Sequence, residues 1–140
     1  MYMGVETMVI SDDGTRRWYR DGRLHRVDGA AIEWATGYGD WYYDGVRHRA
    51  DGPAIETATY SGWFLNGVRH RVDGPAIIEK VSSYHVWYFD GKKHRDDGPA
   101  IEFSDGSRRW YYHGREYSEV EYNMVTFFGL KYASCIMYAY

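Results

Sequence analysis

Residues 63–79, WFLNGVRHRVDGPAIIE, decide the fold because closely related stretches begin at Trp18, Trp41 and Trp87. A shortened fifth copy, WYYHGREY, begins at Trp110, and the successive Trp-to-Trp spacings are 23, 22, 24 and 23 residues. In each complete copy the isoleucine of Ala-Ile follows its tryptophan by 14 residues, whereas the next tryptophan follows that isoleucine by 8 to 10. Constant spacing indicates a segment held by packing and hydrogen bonds, and variable spacing indicates a surface loop, so the chain is an array of repeats.

Each unit predicts strands separated by tight turns. Asp-Gly or Asn-Gly follows the aromatic residues in the complete units, and these dipeptides are strong hairpin signals. We therefore predict an all-β protein, an elongated, meandering antiparallel sheet of about nine or ten strands built from hairpin repeats. The sheet is predicted to occupy residues 1–117, with a half repeat, four full repeats and a partial one at 9–17, 18–40, 41–62, 63–86, 87–109 and 110–117.

The last part of the chain, residues 118–140, predicts a C-terminal helical cap and tail. Ser118 with Glu121 three residues later is a capping box, which marks the start of a helix. We expect this helix to run to about Phe128 and to cover the open end or one face of the sheet. Its apolar face is predicted at helical spacing along Val120, Met124 and Phe127 or Phe128. Residues 130–140 remain open between a last strand, more helix and a surface for a second subunit, which makes a homodimer through the C-terminal segment one option.

The composition excludes several classes of protein. The 140 residues suffice for one domain, and 17 basic against 20 acidic residues give a net charge of −3, with no global drive toward nucleic acid or anionic membranes. A single cysteine excludes an internal disulfide framework, and we see no secretory signal and no confident transmembrane stretch. We therefore expect a soluble, cytoplasmic protein that has no contact with membranes and carries no cofactor.

The repeat resembles a MORN-type repeat, in the variant W-Y-x-x-G-x-x-H-R-x-D-G-P-A-I-E found in phage and bacterial proteins. The resemblance covers residues from about 9 to 117, although MORN units usually start with Tyr-x-Gly and end with Gly-x-Gly. It implies a meandering antiparallel sheet used for scaffolding, partner binding or sometimes lipid contact, and it implies no catalytic residues. A phage origin would make a host protein the partner, in the host cytoplasm, with inhibition of host machinery or defence as the consequence.

The first candidate binding residues are the arginines of His-Arg-x-Asp, namely Arg26, Arg49, Arg71 and Arg95. A row of guanidinium groups suits bidentate contact with phosphates. The competing interpretation is structural: every arginine comes with an aspartate, so the row is nearly neutral and each pair holds its own turn. The four histidines of this motif are predicted to lie about 10 Å apart, which is too far for one metal ion, and we expect no metal site.

The second candidate is the row of aromatic residues that directly follow the tryptophans: Tyr19, Tyr42, Phe64, Tyr88 and Tyr111. Adjacent strand residues point to opposite faces, so the tryptophans are predicted to pack on one face and this row to line an exposed groove on the other. Tyr43, Phe89 and Tyr112 are expected near the same groove. Tyr, Trp and Arg are the residue types that dominate binding energy at protein interfaces, which favours a protein partner.

Two other functions remain open. One is the binding or sequestering of a nucleotide or short nucleic acid by the arginine, histidine and aromatic rows. The other is a hydrolase that uses a His-Asp pair at His85 or His113, which lie outside the repeat frame. An active site needs a unique constellation, and near-identical units do not provide one, so a non-enzymatic binding protein is the main hypothesis.

Overall fold

A computed structural model describes residues 4–128, which form eighteen strands and one helix. The main sheet is antiparallel and meandering, and its twelve strands are β1 (Glu6–Ile10), β2 (Arg16–Arg20), β3 (Arg23–Leu24), β4 (Ile32–Glu33), β5 (Gly39–Asp40), β8 (Ile55–Glu56), β9 (Tyr60–Gly62), β12 (Ile77–Glu79), β13 (Tyr84–Val86), β16 (Ile101–Glu102), β17 (Arg108–Tyr112) and β18 (Arg115–Tyr117). Three two-stranded hairpins run beside it: β6 (Tyr42–Tyr43) with β7 (Val46–Arg47), β10 (Phe64–Leu65) with β11 (Val68–Arg69), and β14 (Tyr88–Phe89) with β15 (Lys92–Lys93). The predicted all-β meander of hairpin repeats is confirmed.

The units that begin at Trp41, Trp63 and Trp87 each contain four short strands where the sequence predicts two, because the strand around the tryptophan is divided and a return strand follows the turn. The chain passes from the main sheet through its tryptophan into the hairpin and turns at Asp44-Gly45, where both residues have positive φ, 49° and 79°. Two consecutive left-handed residues make a type I′ turn, whose twist matches that of the flanking strands. The return strand, such as β7, occupies residues that we expected to cross directly to the next unit. Neighbouring units are joined by bonds such as Gly67 N–H to the Arg47 carbonyl (2.9 Å).

Alternation along the strands creates two faces, which we call the Trp side and the Tyr side. Trp18 lies between Arg17 and Tyr19, which therefore point to the opposite face, and Arg17 stands beside Ile32 in the register. The Tyr side buries the aliphatic residues Ile32, Ile77, Val86 and Ile101. The Trp side has an alanine row with no exposed surface, formed by Ala31, Ala54, Ala76 and Ala100. The core is thus a thin layer that runs along the array.

The C-terminal helix α1 (Glu119–Phe128) is confirmed, and so is its capping box. Glu121 Oε2 accepts from the backbone N–H of Ser118 at 2.8 Å, and the N–H of Glu121 donates to Ser118 Oγ at 3.3 Å. The predicted apolar face is wrong at Val120, which is 63% exposed, and at Phe127, which is 83% exposed, whereas Met124 is half-buried as expected. Tyr122 and Val125 are the buried residues of the helix.

An aromatic contact between Tyr122 and Trp110 sets which face of α1 is buried. The Tyr122 ring lies 4.8 Å from the ring of Trp110 in β17, and the helix packs against β17 and β18. Predictions about residues 129–140, including a C-terminal dimer surface, lie outside the described residues. Within residues 4–128, no helix combines the length and the hydropathy needed to cross a membrane.

Candidate binding faces

The arginine of each complete unit lies on the tryptophan of the same unit. In the third unit the Arg71 guanidinium carbon is 4.1 Å from the centroid of the Trp63 ring. Its Nε donates to Asp73 Oδ1 at 2.8 Å, and its Nη1 donates to the Pro75 carbonyl oxygen at 3.3 Å. The loop is therefore held in one conformation by three contacts of Arg71: with the ring of Trp63, with the carboxylate of Asp73 and with the carbonyl of Pro75.

The same stack recurs in every complete unit, with ring distances of 4.0 to 4.1 Å. The guanidinium in each case lowers the pKa of the paired aspartate, a set formed by Asp28, Asp51, Asp73 and Asp97. The arginine side chains are only 20 to 25% exposed. The structure thus places Arg26, Arg49, Arg71 and Arg95 in structural contacts, and a role for them in partner binding stays a prediction.

The glycine of His-Arg-x-Asp-Gly leaves room for the same stack. A Cβ built at Gly74 would lie 3.1 Å from the Arg71 guanidinium carbon, closer than ordinary van der Waals contact. A side chain at this position would push the guanidinium away from its place on the tryptophan ring. Together with the bond from Trp63 N–H to the Ala76 carbonyl (2.8 Å), this contact explains most of the repeated motif as structure.

The histidines of the motif join each unit to the next. Their Nδ1 atoms accept the backbone N–H of the first turn residue of the following unit at 3.0 to 3.2 Å, in the pairs His25 with Asp44, His48 with Asn66, His70 with Asp90 and His94 with His113. Tyr43 contacts His25 and His48, and Phe89 contacts His70 and His94. The expectation that Tyr43, Phe89 and Tyr112 line the groove of the Tyr row is wrong, because these rings lie on the Trp side against the histidines.

His94 is the histidine whose protonation is opposed by its surroundings. Burial lowers its pKa below the ordinary 6.5, and the ring of His113, stacked at 4.2 Å, lowers it further, while Asp96 partly compensates. Its Nδ1 lone pair accepts the His113 N–H, so a proton there would break a bond between units. The unfolded chain therefore binds a proton to this group at a higher pH than the folded chain does.

We expect acid to weaken the C-terminal end of the array through His94. Because the folded pKa is depressed, the contribution of this group to stability is fully present above about pH 6.5 and is lost as pH falls through the folded pKa, by at most about 1.4 kcal/mol per pH unit. Urea unfolding of the wild type and of His94→Gln at several pH values between neutral and mildly acidic measures the effect. The wild type should lose more stability than the variant, and parallel losses would contradict the assignment.

The Tyr row, predicted to line an exposed groove, is half-buried except at Tyr111, which is buried, and it lies under a row of cations. The Arg47 guanidinium is 5.1 Å from the Tyr42 ring and 5.3 Å from the Phe64 ring, and Arg69 is 5.7 Å from Phe64. Arg69 also lies 5.5 Å from Tyr88, and Lys93 Nζ lies 4.8 Å from the Tyr111 ring. We call this surface the cation–aromatic face and define it by Tyr42, Phe64, Tyr88, Tyr111, Arg47, Arg69 and Lys93. Tyr19 begins the same aromatic row, opposite Leu24 in the register.

The row of cations ends in the fifth unit. Glu116 occupies the position of Lys93 there, and Tyr111, which is buried, donates its hydroxyl to Glu116 Oε2 at 2.7 Å. This bond raises the pKa of Tyr111, with burial acting in the same direction. The sequence analysis missed the cations because the residue type two positions after the turn glycine changes from unit to unit. That variation, against an otherwise constant motif, was the available signal.

Open clefts separate successive His-Arg-x-Asp-Gly loops on the Trp side, with volumes of 500, 710 and 610 Å³ along the chain. The second of these is lined by Trp63, His70 and Arg71 of one unit and by Arg49 and Asp51 of the unit before. The paired aspartates project outward and are more than 80% exposed. The clefts therefore combine a ring platform with a negatively charged rim.

The two histidines considered for hydrolysis occupy different places. His113 stacks on His94, whereas the His85 ring meets the edge of Trp87 at 6.2 Å. In the part of the chain that the structure describes, no group of three or more His, Cys, Asp or Glu side chains is arranged to hold a metal ion.

The fold and these faces define an all-β repeat protein with one face stacked by its own loops and the other lined by cations and aromatic rings. Comparison with known proteins finds no matching family model, no matching curated protein and no matching solved structure.

Proposed function

We propose that the protein is a non-enzymatic binding protein that engages a protein partner through the cation–aromatic face, extended by Tyr19. The observation that carries this proposal is the contrast between the faces. The residues repeated in every unit hold the fold. The position occupied by Arg47, Arg69 and Lys93, in contrast, carries different residue types in different units, and these three side chains lie on the aromatic row. Aromatic rings beside arginines are the combination that contributes most at protein interfaces.

The partner is expected to present acidic side chains. Arg47 is paired with Asp40 at 3.4 Å, but among residues 4–128 neither Arg69 nor Lys93 forms an ion pair with a carboxylate. Cations that already lie on aromatic rings are held in place, so a partner carboxylate meets them at a small cost in side-chain entropy. The resemblance to phage repeat proteins, rather than any geometry, points to a host defence protein as this partner and to its inhibition as the outcome.

Nucleotide binding is the weaker candidate. The clefts on the Trp side supply rings and guanidinium groups, which is the observation in its favour. Their exposed aspartate rims oppose a phosphate, and the guanidinium donors are already bonded to those aspartates and to carbonyl oxygens.

Charge reversal of the cation–aromatic face tests the proposal. After affinity capture from the native host and identification of the bound protein by mass spectrometry, we expect Arg69→Glu/Lys93→Glu to weaken its binding by at least about 100-fold, because two charged contacts become repulsive. The matched control is Lys80→Glu/Arg108→Glu, which changes the net charge equally at positions away from this face and should change affinity less than about threefold.

The same binding titrations separate the alternatives. Equal weakening by both double variants would exclude the cation–aromatic face as the interface. Binding of labelled nucleotide or short RNA that falls steeply with salt, and that survives the reversal at Arg69 and Lys93, would favour the clefts instead.

A further inference from the structure

The first strand is exposed along its whole length. All five residues of β1 are exposed, including Met8 at 49%, Val9 at 51% and Ile10 at 57%. Within residues 4–128, β1 pairs with β2 alone, so its other edge has no strand beside it. An apolar edge strand of this length is a template for pairing with another strand.

The register of β1 on β2 shows which backbone N–H and C=O groups of β1 point to its free edge. Met8 stands opposite Trp18, and Trp18 donates its N–H to the Ala31 carbonyl and accepts from His25 N–H, both on the side away from β1. Opposite residues of an antiparallel pair either bond to each other or both point away. Met8 therefore directs its N–H and C=O to the free edge, and so do the residues two positions away on either side, Glu6 and Ile10.

We propose that this edge binds a second copy of the chain, so that the two β1 strands pair antiparallel about a twofold axis at Met8. The outward groups are symmetric about that residue: Met8 meets Met8 of the second copy, and Glu6 meets Ile10. Each of these pairs can exchange two backbone hydrogen bonds, which satisfies every outward group of the strand. In this register the exposed side chains of Met8, Val9 and Ile10 become covered by Met8, Thr7 and Glu6 of the second copy, so the symmetry of the strand about Met8 identifies the occupant.

The opposite end of the sheet explains why the assembly closes at two copies. Within residues 4–128, β18 pairs with β17 only from Trp110 onward, so Arg108 and Arg109 have no strand on that side. The strand β18 is itself short and begins with Arg115 and Glu116. Charged, short edges discourage strand addition. Head-to-tail growth would bring β1 onto this charged border, whereas head-to-head pairing of two β1 strands uses one surface twice and closes.

A disulfide at the twofold axis tests the register. In a Cys135→Ser background, Met8→Cys should form an intermolecular disulfide under mild oxidation, because paired Cα atoms in this frame lie about 5.5 Å apart, within the range of roughly 4.4–6.8 Å that a disulfide spans. Ile10→Cys in the same background is the matched control. Its copies lie about 13 Å apart in this register and should remain mostly reduced. Equal cross-linking of both variants, or of neither, would overturn the proposed register.

The mass of the protein in solution tests the interface itself. Sedimentation velocity of the full chain should give twice the 16.4 kDa monomer at high micromolar concentration. Met8→Pro removes one outward N–H and leaves the bonds to β2, so it should give a folded monomer, while Val72→Lys in an exposed loop should remain a dimer. A monomeric wild type, a dimeric Met8→Pro protein, or a dimer lost only on deletion of residues 129–140 would overturn the proposal. If Met8→Pro lacks the circular dichroism spectrum of the folded protein, the cross-linking of Met8→Cys against Ile10→Cys decides whether the two strands pair.

Discussion

Replacement of Tyr122 by alanine is expected to lower the free energy of unfolding by about 3–5 kcal/mol, the range for truncating a fully buried aromatic side chain. Tyr122 is 2% exposed, and its ring packs on Trp110. Its hydroxyl donates to the Arg95 carbonyl oxygen at 2.5 Å and accepts from Gly98 N–H at 3.3 Å. The variant therefore removes a ring and leaves two backbone groups of the neighbouring loop without their partner.

Urea unfolding followed by tryptophan fluorescence measures this effect, and two further variants locate its source. Tyr122→Phe keeps the ring and should cost about 1–2 kcal/mol through the lost hydroxyl bonds. Val120→Ala, on the exposed side of α1, should change stability by less than about 0.5 kcal/mol. A Tyr122→Ala protein as stable as the Val120→Ala protein would show that α1 does not contribute to the folded array.

Tyr122 matters because it takes the place of an arginine. In the complete units the ring of the tryptophan is covered by the arginine eight residues later, as Trp63 is by Arg71. The fifth unit lacks this motif, and there the helix supplies Tyr122 to cover Trp110. The helix is thus a cap in a specific sense, since it completes the last stack on the Trp side.

The features that sequence analysis predicted correctly are those with local causes. Asp44-Gly45 makes a type I′ turn because both residues tolerate positive φ, and Ser118 with Glu121 makes a capping box, whatever the rest of the chain does. The buried face of α1 was predicted wrongly for the opposite reason. Hydrophobic spacing favours Val120, Met124 and Phe127 or Phe128, but the rotation of the helix is decided by the long-range contact of Tyr122 with the last tryptophan.

The candidate site was predicted in part. The positions of the aromatic row, such as Phe64 and Tyr88, follow from strand alternation. Arg69, which lies between these two rings, could not be placed there because β11 was not recognised as a strand. The pairing of Arg71 with Asp73 was predicted because every arginine of the motif comes with one aspartate. The stacking of Arg71 on Trp63 was not predicted, because it depends on where the loop returns to the sheet.

Replacement of Arg71 by methionine is expected to lower the free energy of unfolding by about 2 kcal/mol. The change removes a cation–π contact with Trp63, of order 1 kcal/mol, and a hydrogen bond to the Pro75 carbonyl, also of order 1 kcal/mol. Methionine retains most of the apolar contact with the ring, so the loss reports the guanidinium rather than a cavity. Chemical unfolding of the full chain measures the difference.

Two controls separate the stack from the ion pair. Asp73→Asn removes the carboxylate, which is 83% exposed, and should stay close to the wild type, because solvent-exposed ion pairs contribute little. Arg71→Lys keeps the charge but loses the planar fork, and should resemble Arg71→Met more than the wild type. If Asp73→Asn were as destabilising as Arg71→Met, the salt bridge rather than the stack would hold the loop.

The position of the altered unit along the array should determine how far the loss of stability spreads. In a one-dimensional array each unit contacts only its neighbours, so a defect in the third unit weakens both halves, whereas a defect in the first unit releases one end. Arg26→Met removes the equivalent stack on Trp18. Hydrogen exchange should therefore show faster exchange confined to the first unit in Arg26→Met and spread across the central units in Arg71→Met. Uniform acceleration in both variants would mean that the array unfolds as one cooperative body.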